Sequence, residues 1–285
     1  QMLLEAKPKN FSDLLQISGL SHGTDVWIGN AKDLIAEGVC TISEVIGTRD
    51  NIMVYLMHKG VEPSMAFKIM EIVRKGNATK LLTQEHIDAM KENGVEQWYI
   101  DSCMKIKYMF PKAHAAAYVM SAIRVAWYKV HMPVAFYCAM LAIITEKVGL
   151  DAEIVMSGHR GVSNEIKRIE DLGKEASQNE QASVAGLQLV REAYARGIKF
   201  LPINLKKSDQ KAFLPENGGI RLPFSSLSGL GKNASQNIID ARNEEDFFSI
   251  EDLQTRAKLS GAVIEILRKN GVLDGLSDTD QISFF

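Results

Sequence analysis

The stretch Tyr108-Met109-Phe110-Pro111-Lys112-Ala113-His114-Ala115-Ala116-Ala117-Tyr118 sets aromatic, cationic and imidazole side chains immediately before a tightly packing alanine-rich helix. Those side chains suit a nucleotide pocket. Tyr108 and Phe110 offer stacking surfaces, Lys112 and His114 can meet phosphate charge, and Ala115, Ala116 and Ala117 let another backbone or a base pair approach closely. Alone, the stretch also reads as an ordinary helix start with a solvated lysine, so the flanking chain decides between the two.

Upstream, the pattern is helix after helix. Gly19, Gly38, Gly60, Gly76 and Gly94 fall where C-terminal caps belong. Between Pro63 and Gly76, Met65, Ile69, Ile72 and Val73 recur at helical spacing while Lys68, Glu71, Arg74 and Lys75 fill the other face, which predicts one buried stripe. Downstream, the apolar run Ala115–Thr145 is interrupted by Arg124, Lys129, His131 and Pro133, which excludes a membrane span and predicts two helices split at Met132-Pro133. Residues 1–150 therefore read as a helical domain. Amphipathic helices follow from Asp151 to Arg196. Near Gly197 the pattern changes: IKFLPINL and KAFLP-ENGG-IRLPF read as extended segments around a turn at Glu216–Gly219, with helix again from Ala234. The fold class is mainly α with a small α+β region late in the chain.

At 285 residues the chain is large enough for two or three sub-domains, and 46% hydrophobic with 24% charged residues is a globular composition. A net charge of −2 gives no global footprint for nucleic acid, so any such contact must come from local basic faces or backbone amides. Cys40, Cys103 and Cys138 are odd in number and lack a CxxC, which fits reduced cytosolic thiols and neither a disulfide frame nor a zinc site. The six histidines show no metal-ligand spacing. No signal peptide is evident, and a chain starting on Gln1 reads as a piece of something longer.

Two motifs need weighing. Gly19-Leu20-Ser21-His22-Gly23 matches the G-x-S-x-G of hydrolase elbows, but Phe11, Leu14 and Leu15 precede it at helical spacing where an elbow needs a buried strand. Ser21, His22, Gly23 and Thr24 fit better as a loop presenting small donors to a nucleotide or phosphate. Leu227-Ser228-Gly229-Leu230-Gly231-Lys232-Asn233-Ala234 has the h-x-G-h-G core of a helix-hairpin-helix, whose glycines bring backbone amides to a sugar-phosphate chain. Ala234 comes one position early for the commonest form, and strand-like RLPF replaces the expected first helix, so a plain glycine turn stays open as the alternative. The terminal Gln281-Ile282-Ser283-Phe284-Phe285 reads as a docking peptide for an apolar pocket, or as two phenylalanines tucked onto their own domain.

Taken in order, ISGLSHGTDVW, EVIGTRDNIMVYL, EPSMAFKIMEIVRKG, EQWYIDSCMKIKYMFPKAHAAAYV, SLSGLGKNASQNIIDAR and QISFF make the chain resemble the C-terminal part of the PolC-type replicative DNA polymerase III alpha subunit of low-GC Gram-positive bacteria. The resemblance runs through essentially the whole chain. It implies fingers over 1–150, a duplex-binding region over 151–276 with a helix-hairpin-helix at about 224–242, and a sliding-clamp peptide in the mobile tail 277–285. Phe284 stands where the family commonly has leucine. The implied partners are primer-template DNA, dNTP, the sliding clamp and other replisome subunits, in the cytoplasm. The implied nucleotide pocket, which in the family also looks like the target of guanine-like inhibitors, comprises Ser21, His22, Gly23, Phe110, Lys112, His114 and Tyr118, with Arg49 and Arg124 as weaker electrostatic candidates. Gly229, Gly231, Lys232 and Asn233 are the DNA-contacting candidates, and Gln281, Ile282, Ser283, Phe284 and Phe285 those for the clamp. The family's palm aspartates, which hold two magnesium ions, have no counterpart here, so the resemblance implies no metal site in this chain and no polymerisation by it alone. The competing expectation is a non-catalytic DNA-binding and clamp-docking adaptor, which would have no use for YMFPKAHAAAY and SGLSHG.

Overall fold

Helix ends fall where glycine punctuates the sequence: Gly38, Gly60, Gly76 and Gly94 each follow a helix with positive φ. The computed structural model describes residues 1–279, so the tail Gln281–Phe285 lies outside the described residues. Gly19 is the exception among the expected caps. It sits inside helix Phe11–His22, where an added Cβ would lie 2.1 Å from the Gly47 carbonyl oxygen. Its side-chain-free face lets the loop at Gly47 cross the helix, a demand of packing that looks like a helix stop in sequence.

The chain folds as two compact units, Gln1–Arg124 and Val125 onward, the division falling within helix Lys112–His131. In the first, helices Arg49–Lys59, Pro63–Arg74, Gln84–Glu92 and Gln97–Lys105 bury Ile52, Leu56, Ile69, Met90 and Tyr99. Their starts are well specified: Asn10 accepts the Asp13 N–H at 3.0 Å, and Thr48 with Asn51 forms a reciprocal capping box. Pro63 occupies the first turn of its helix, and the buried stripe is Ala66, Ile69, Met70 and Val73. Met65 and Ile72 are half-buried at its edges. The period admits either apolar stripe, and packing against Arg49–Lys59 selects the one carrying Ala66.

In the second unit, Pro133 opens helix Pro133–Ile144 as the sequence predicts. This helix, grouped with residues 1–150 in the sequence reading, buries Tyr137, Cys138 and Leu141 in the core of the later residues. It packs on helix Gln178–Ala195 and on a small sheet of β1 (Phe200–Leu201), β2 (Leu214–Glu216) and β3 (Gly219–Arg221), ordered β1-β3-β2. β2 and β3 form an antiparallel hairpin with Glu216 opposite Gly219, turned through Asn217 and Gly218 at φ 50° and 77°. Positive φ at both central residues matches the right-handed strand twist, and Asn-Gly is the pair that tolerates it. Helices Lys232–Glu244, Ile250–Arg256 and Gly261–Lys269 complete the unit. Arg242 joins it to the sheet region by donating to the carbonyls of Leu205 and Ser208 at 2.8 and 2.6 Å.

Cys40, Cys103 and Cys138 are buried free thiols, and burial pushes them up to about 11, 12 and 11, which makes them inert packing groups. Among the described residues, no helix is long and apolar enough to cross a membrane.

Candidate nucleotide and nucleic-acid sites

Two segments far apart in sequence meet at one backbone bridge. Thr24 N–H donates to the Tyr108 carbonyl at 2.9 Å, and Lys107 N–H donates to the Thr24 carbonyl at 3.1 Å. The bridge brings the end of helix Phe11–His22 beside Phe110, and the His22 ring stacks on Phe110 at 4.8 Å with 27° between planes. His114, one turn into helix Lys112–His131, meets the same ring edge-on at 6.0 Å. Ser21, His22 and His114 are exposed and Phe110 half-buried, so an aromatic platform flanked by imidazoles faces solvent.

The tautomer of His22 follows from its neighbours. Nδ1 lies 2.8 Å from the Ser18 carbonyl oxygen, which can only accept, so Nδ1 carries the proton. In the neutral ring, Nε2 is then an acceptor for a ligand N–H. Ser21 Oγ donates to the same carbonyl at 2.9 Å and lies 3.0 Å from Nδ1, locking the ring. Ser21 and His22 occupy the last helical turn, not the loop expected from sequence, because the helix continues through Gly19. Gly23 is committed to packing: a Cβ there would lie 2.7 Å from Val26 Cγ2 and 2.9 Å from the Tyr108 carbonyl oxygen.

The other candidates spread out from this centre. The Arg49 N–H donates to the Phe110 carbonyl at 3.3 Å, and its side chain leans on Asp50. Asp50 Oδ2 accepts the Lys112 N–H at 2.8 Å, so the start of helix Arg49–Lys59 clamps both sides of Pro111. The Lys112 side chain lines an adjacent cleft of about 510 Å³ with Asp50, Asn51, Tyr55, Lys59 and Glu96. Tyr118 is exposed about 6 Å along the helix from His114, and exposed Arg124 about 15 Å along it.

Within that cleft, the Tyr55 hydroxyl donates to Glu96 and Lys59 Nζ lies 2.9 Å from it, which holds the Glu96 carboxyl down to about 2. Arg74 does the same for Glu71, to about 2. A depressed carboxylate stabilises the fold fully above its ordinary value, and that contribution is lost as pH falls through the folded value. Denaturation midpoints should therefore be flat above about pH 5 and fall between about pH 4.5 and 2. Urea unfolding across this range, repeated for Glu96→Gln, checks the assignment: the variant should show a shallower acid slope.

In the second unit, Gly229 takes φ 85°, Leu230 N–H closes a turn on the Leu227 carbonyl at 3.1 Å, and Gly231 precedes helix Lys232–Glu244. No side chain caps that helix start, which leaves its first amide N–H groups available to an acceptor from outside the helix. An added Cβ at Gly231 would meet nothing within 4 Å, and Gly231, Lys232 and Asn233 are all exposed. The first helix of the motif is reduced to the single turn Phe224–Ser226 after β3.

A family profile described as the bacterial DNA polymerase III alpha subunit finger domain matches residues 1–94, and a helix-hairpin-helix motif profile matches residues 197–281. "DNA polymerase III PolC-type" of Oceanobacillus iheyensis is 49% identical over 285 residues, all of this chain. The proteins of that description from Bacillus subtilis and Lactococcus lactis are 48% and 47% identical, again over the full chain. The chain belongs to the PolC-type DNA polymerase III family. It spans 20%, 20% and 17% of the length of these three relatives. The finger-domain match ends before YMFPKAHAAAY, so the PolC-type relatives alone place residues 108–118 in the family. The helix-hairpin-helix match begins where the sequence pattern changes at Gly197.

Sequence reasoning toward this candidate site misses Thr24, Asp50 and the cleft beside Lys112. The signal for Asp50 is present in Thr48-Arg49-Asp50-Asn51, a capping pattern whose acidic second helical position is free to cap a neighbouring helix. Thr24 acts through its backbone, which leaves no trace in side-chain patterns.

Proposed function

We propose that this chain forms the fingers side of the dNTP pocket and the duplex grip of a replicative DNA-directed DNA polymerase. The observation that carries the reading is the assembled His22–Phe110–His114 cluster in a chain 49% identical to a PolC-type polymerase along its whole length. Phe110 and Tyr118 pack on the nascent base pair, Lys112 and His114 meet the triphosphate, and Ser21 with His22 lines the opposite wall. A correct pair fills this surface and a mismatched one fits poorly, so closure favours correct incorporation. Two-metal phosphoryl transfer needs clustered carboxylates. Among the described residues no group of three or more His, Cys, Asp or Glu side chains gathers to hold a metal. In this reading the two magnesium ions belong to the palm, outside this chain, and the chain alone does not polymerise. Gln281–Phe285 docks the polymerase on its sliding clamp, and the protein works in the cytoplasm with other replisome subunits. The adaptor reading leaves the His22–Phe110–His114 cluster without a purpose, which favours the polymerase.

For the duplex grip, primed duplex and a matched single strand are titrated by fluorescence anisotropy at several salt concentrations, with the polymerase that carries this chain. Duplex-preferring binding that weakens with salt is expected. Replacing Gly229 and Gly231 together with valine should weaken duplex binding about tenfold or more for all sequences alike. Unchanged binding would reduce the motif to a turn.

A further inference from the structure

Beside the hairpin lies a second, donor-rich cleft of about 380 Å³, lined by Lys147, Asn179 and the run Ser225–Gly229. Its walls come from three separate parts of the second unit. Lys147 sits in the loop after helix Pro133–Ile144, where Gly149 passes 3.2 Å (as an added Cβ) from the Ser225 carbonyl oxygen. Asn179 stands in the first turn of helix Gln178–Ala195. Ser225 to Gly229 lead directly into the hairpin.

The polar groups of this cleft are unspent. The Ser226 hydroxyl is buried, its residue only 2% exposed, and has no hydrogen-bond partner. Among the described residues, the amide N–H groups of Ser228 and Gly229 donate to nothing, Lys147 makes no ion pair, and the Asn179 side chain makes no hydrogen bond. A buried hydroxyl left unpaired costs free energy. The one acid on the wall, Asp151, caps its own helix: Oδ1 accepts the N–H groups of Glu153 at 2.8 Å and Ile154 at 3.4 Å. An ammonium, an amide and two unspent backbone N–H groups on the wall, against one carboxylate that serves as a helix cap, make a lining in which donors predominate, as a receptor for a tetrahedral oxyanion requires.

We propose that this cleft seats a phosphodiester of the DNA backbone, so that the duplex grip extends beyond the hairpin onto Lys147 and Asn179. The inference rests on the duplex-binding reading of the hairpin. The amides of Gly229 and of the helix start after Gly231 then face consecutive stretches of one strand, with Lys147 supplying a charge that the hairpin's own glycines lack.

The test uses the polymerase carrying this chain, with duplex affinity read by anisotropy from low to high salt. The Lys147→Ala/Asn179→Ala double variant should bind about tenfold more weakly, and its salt slope should fall by about 1. Lys167→Ala, which removes an exposed charge from helix Gly158–Leu172, should change neither, and the melting temperatures should agree. If the double variant binds like the parent while the Gly229/Gly231 variant does not, the cleft is not a phosphate site and the hairpin reading stands. Loss of the same size with Lys167→Ala would mean bulk charge and overturn the cleft as well. If the hairpin and cleft variants both bind like the parent, the duplex reading itself fails.

Discussion

Gly76→Ala should destabilise the Gln1–Arg124 unit by about 3–5 kcal/mol, the sum of a left-handed backbone penalty and a steric clash. Gly76 follows helix Pro63–Arg74 at φ 70°, and an added Cβ would lie 2.3 Å from the Lys107 carbonyl oxygen and 2.9 Å from Lys107 Cα. All of the obstructing atoms are backbone, so no rotamer change relieves the contact. Lys107 is also the residue whose N–H donates to Thr24. Pushing it aside pulls on the bridge that holds His22 against Phe110. Gly94→Ala provides the comparison: its φ is 68°, yet nothing lies within 4 Å of the added Cβ, so it should cost only the backbone part, about 1 kcal/mol. Urea midpoints for the two variants decide the matter. Equal losses would mean that the approach of Lys107 carries no energy.

Phe110→Ala should lower kcat/KM for dNTP incorporation about 10- to 100-fold in the polymerase that carries this chain, the range set by losing one aromatic stacking surface. The fold should tolerate the change, since Phe110 is only half-buried and belongs to neither hydrophobic core. Its ring contacts are His22 and His114, both exposed, so truncation removes the platform without opening the interior. Phe110→Tyr keeps the ring and should retain most of the activity. Single-nucleotide extension with the four dNTPs, alongside a thermal melt, separates the two effects. Parent-like kinetics for the alanine variant would remove Phe110 from the pocket.

Much of this architecture is legible in the sequence because its signals are local. Pro133, the Asn217-Gly218 turn and the glycines after helices act through their own φ and need no distant partner to be read. Gly19 is misread for the opposite reason: its role is set by Gly47, which approaches across the helix, and that approach leaves no mark in the surrounding pattern. The stripe on Pro63–Arg74 is legible as a stripe, but its rotation depends on which neighbouring helix packs there. For the site, aromatic and imidazole chemistry identifies Phe110, His22 and His114 directly. What brings them together is main-chain pairing at Thr24 and the carboxylate of Asp50, and neither contact has a composition to recognise.

The single bridge between Thr24 and Tyr108 also fixes when the platform can exist. Its two halves are separated by about 80 residues of chain, and closing a segment of that length costs entropy that only the intervening helices, packed on Ile52, Leu56 and Met90, return. His22 therefore cannot face Phe110 while the Gln1–Arg124 unit is partly synthesised or partly unfolded. A ligand that needs both rings reports on completed folding, and any lesion in the intervening helices, however remote from the two rings, is felt as a loss of its binding.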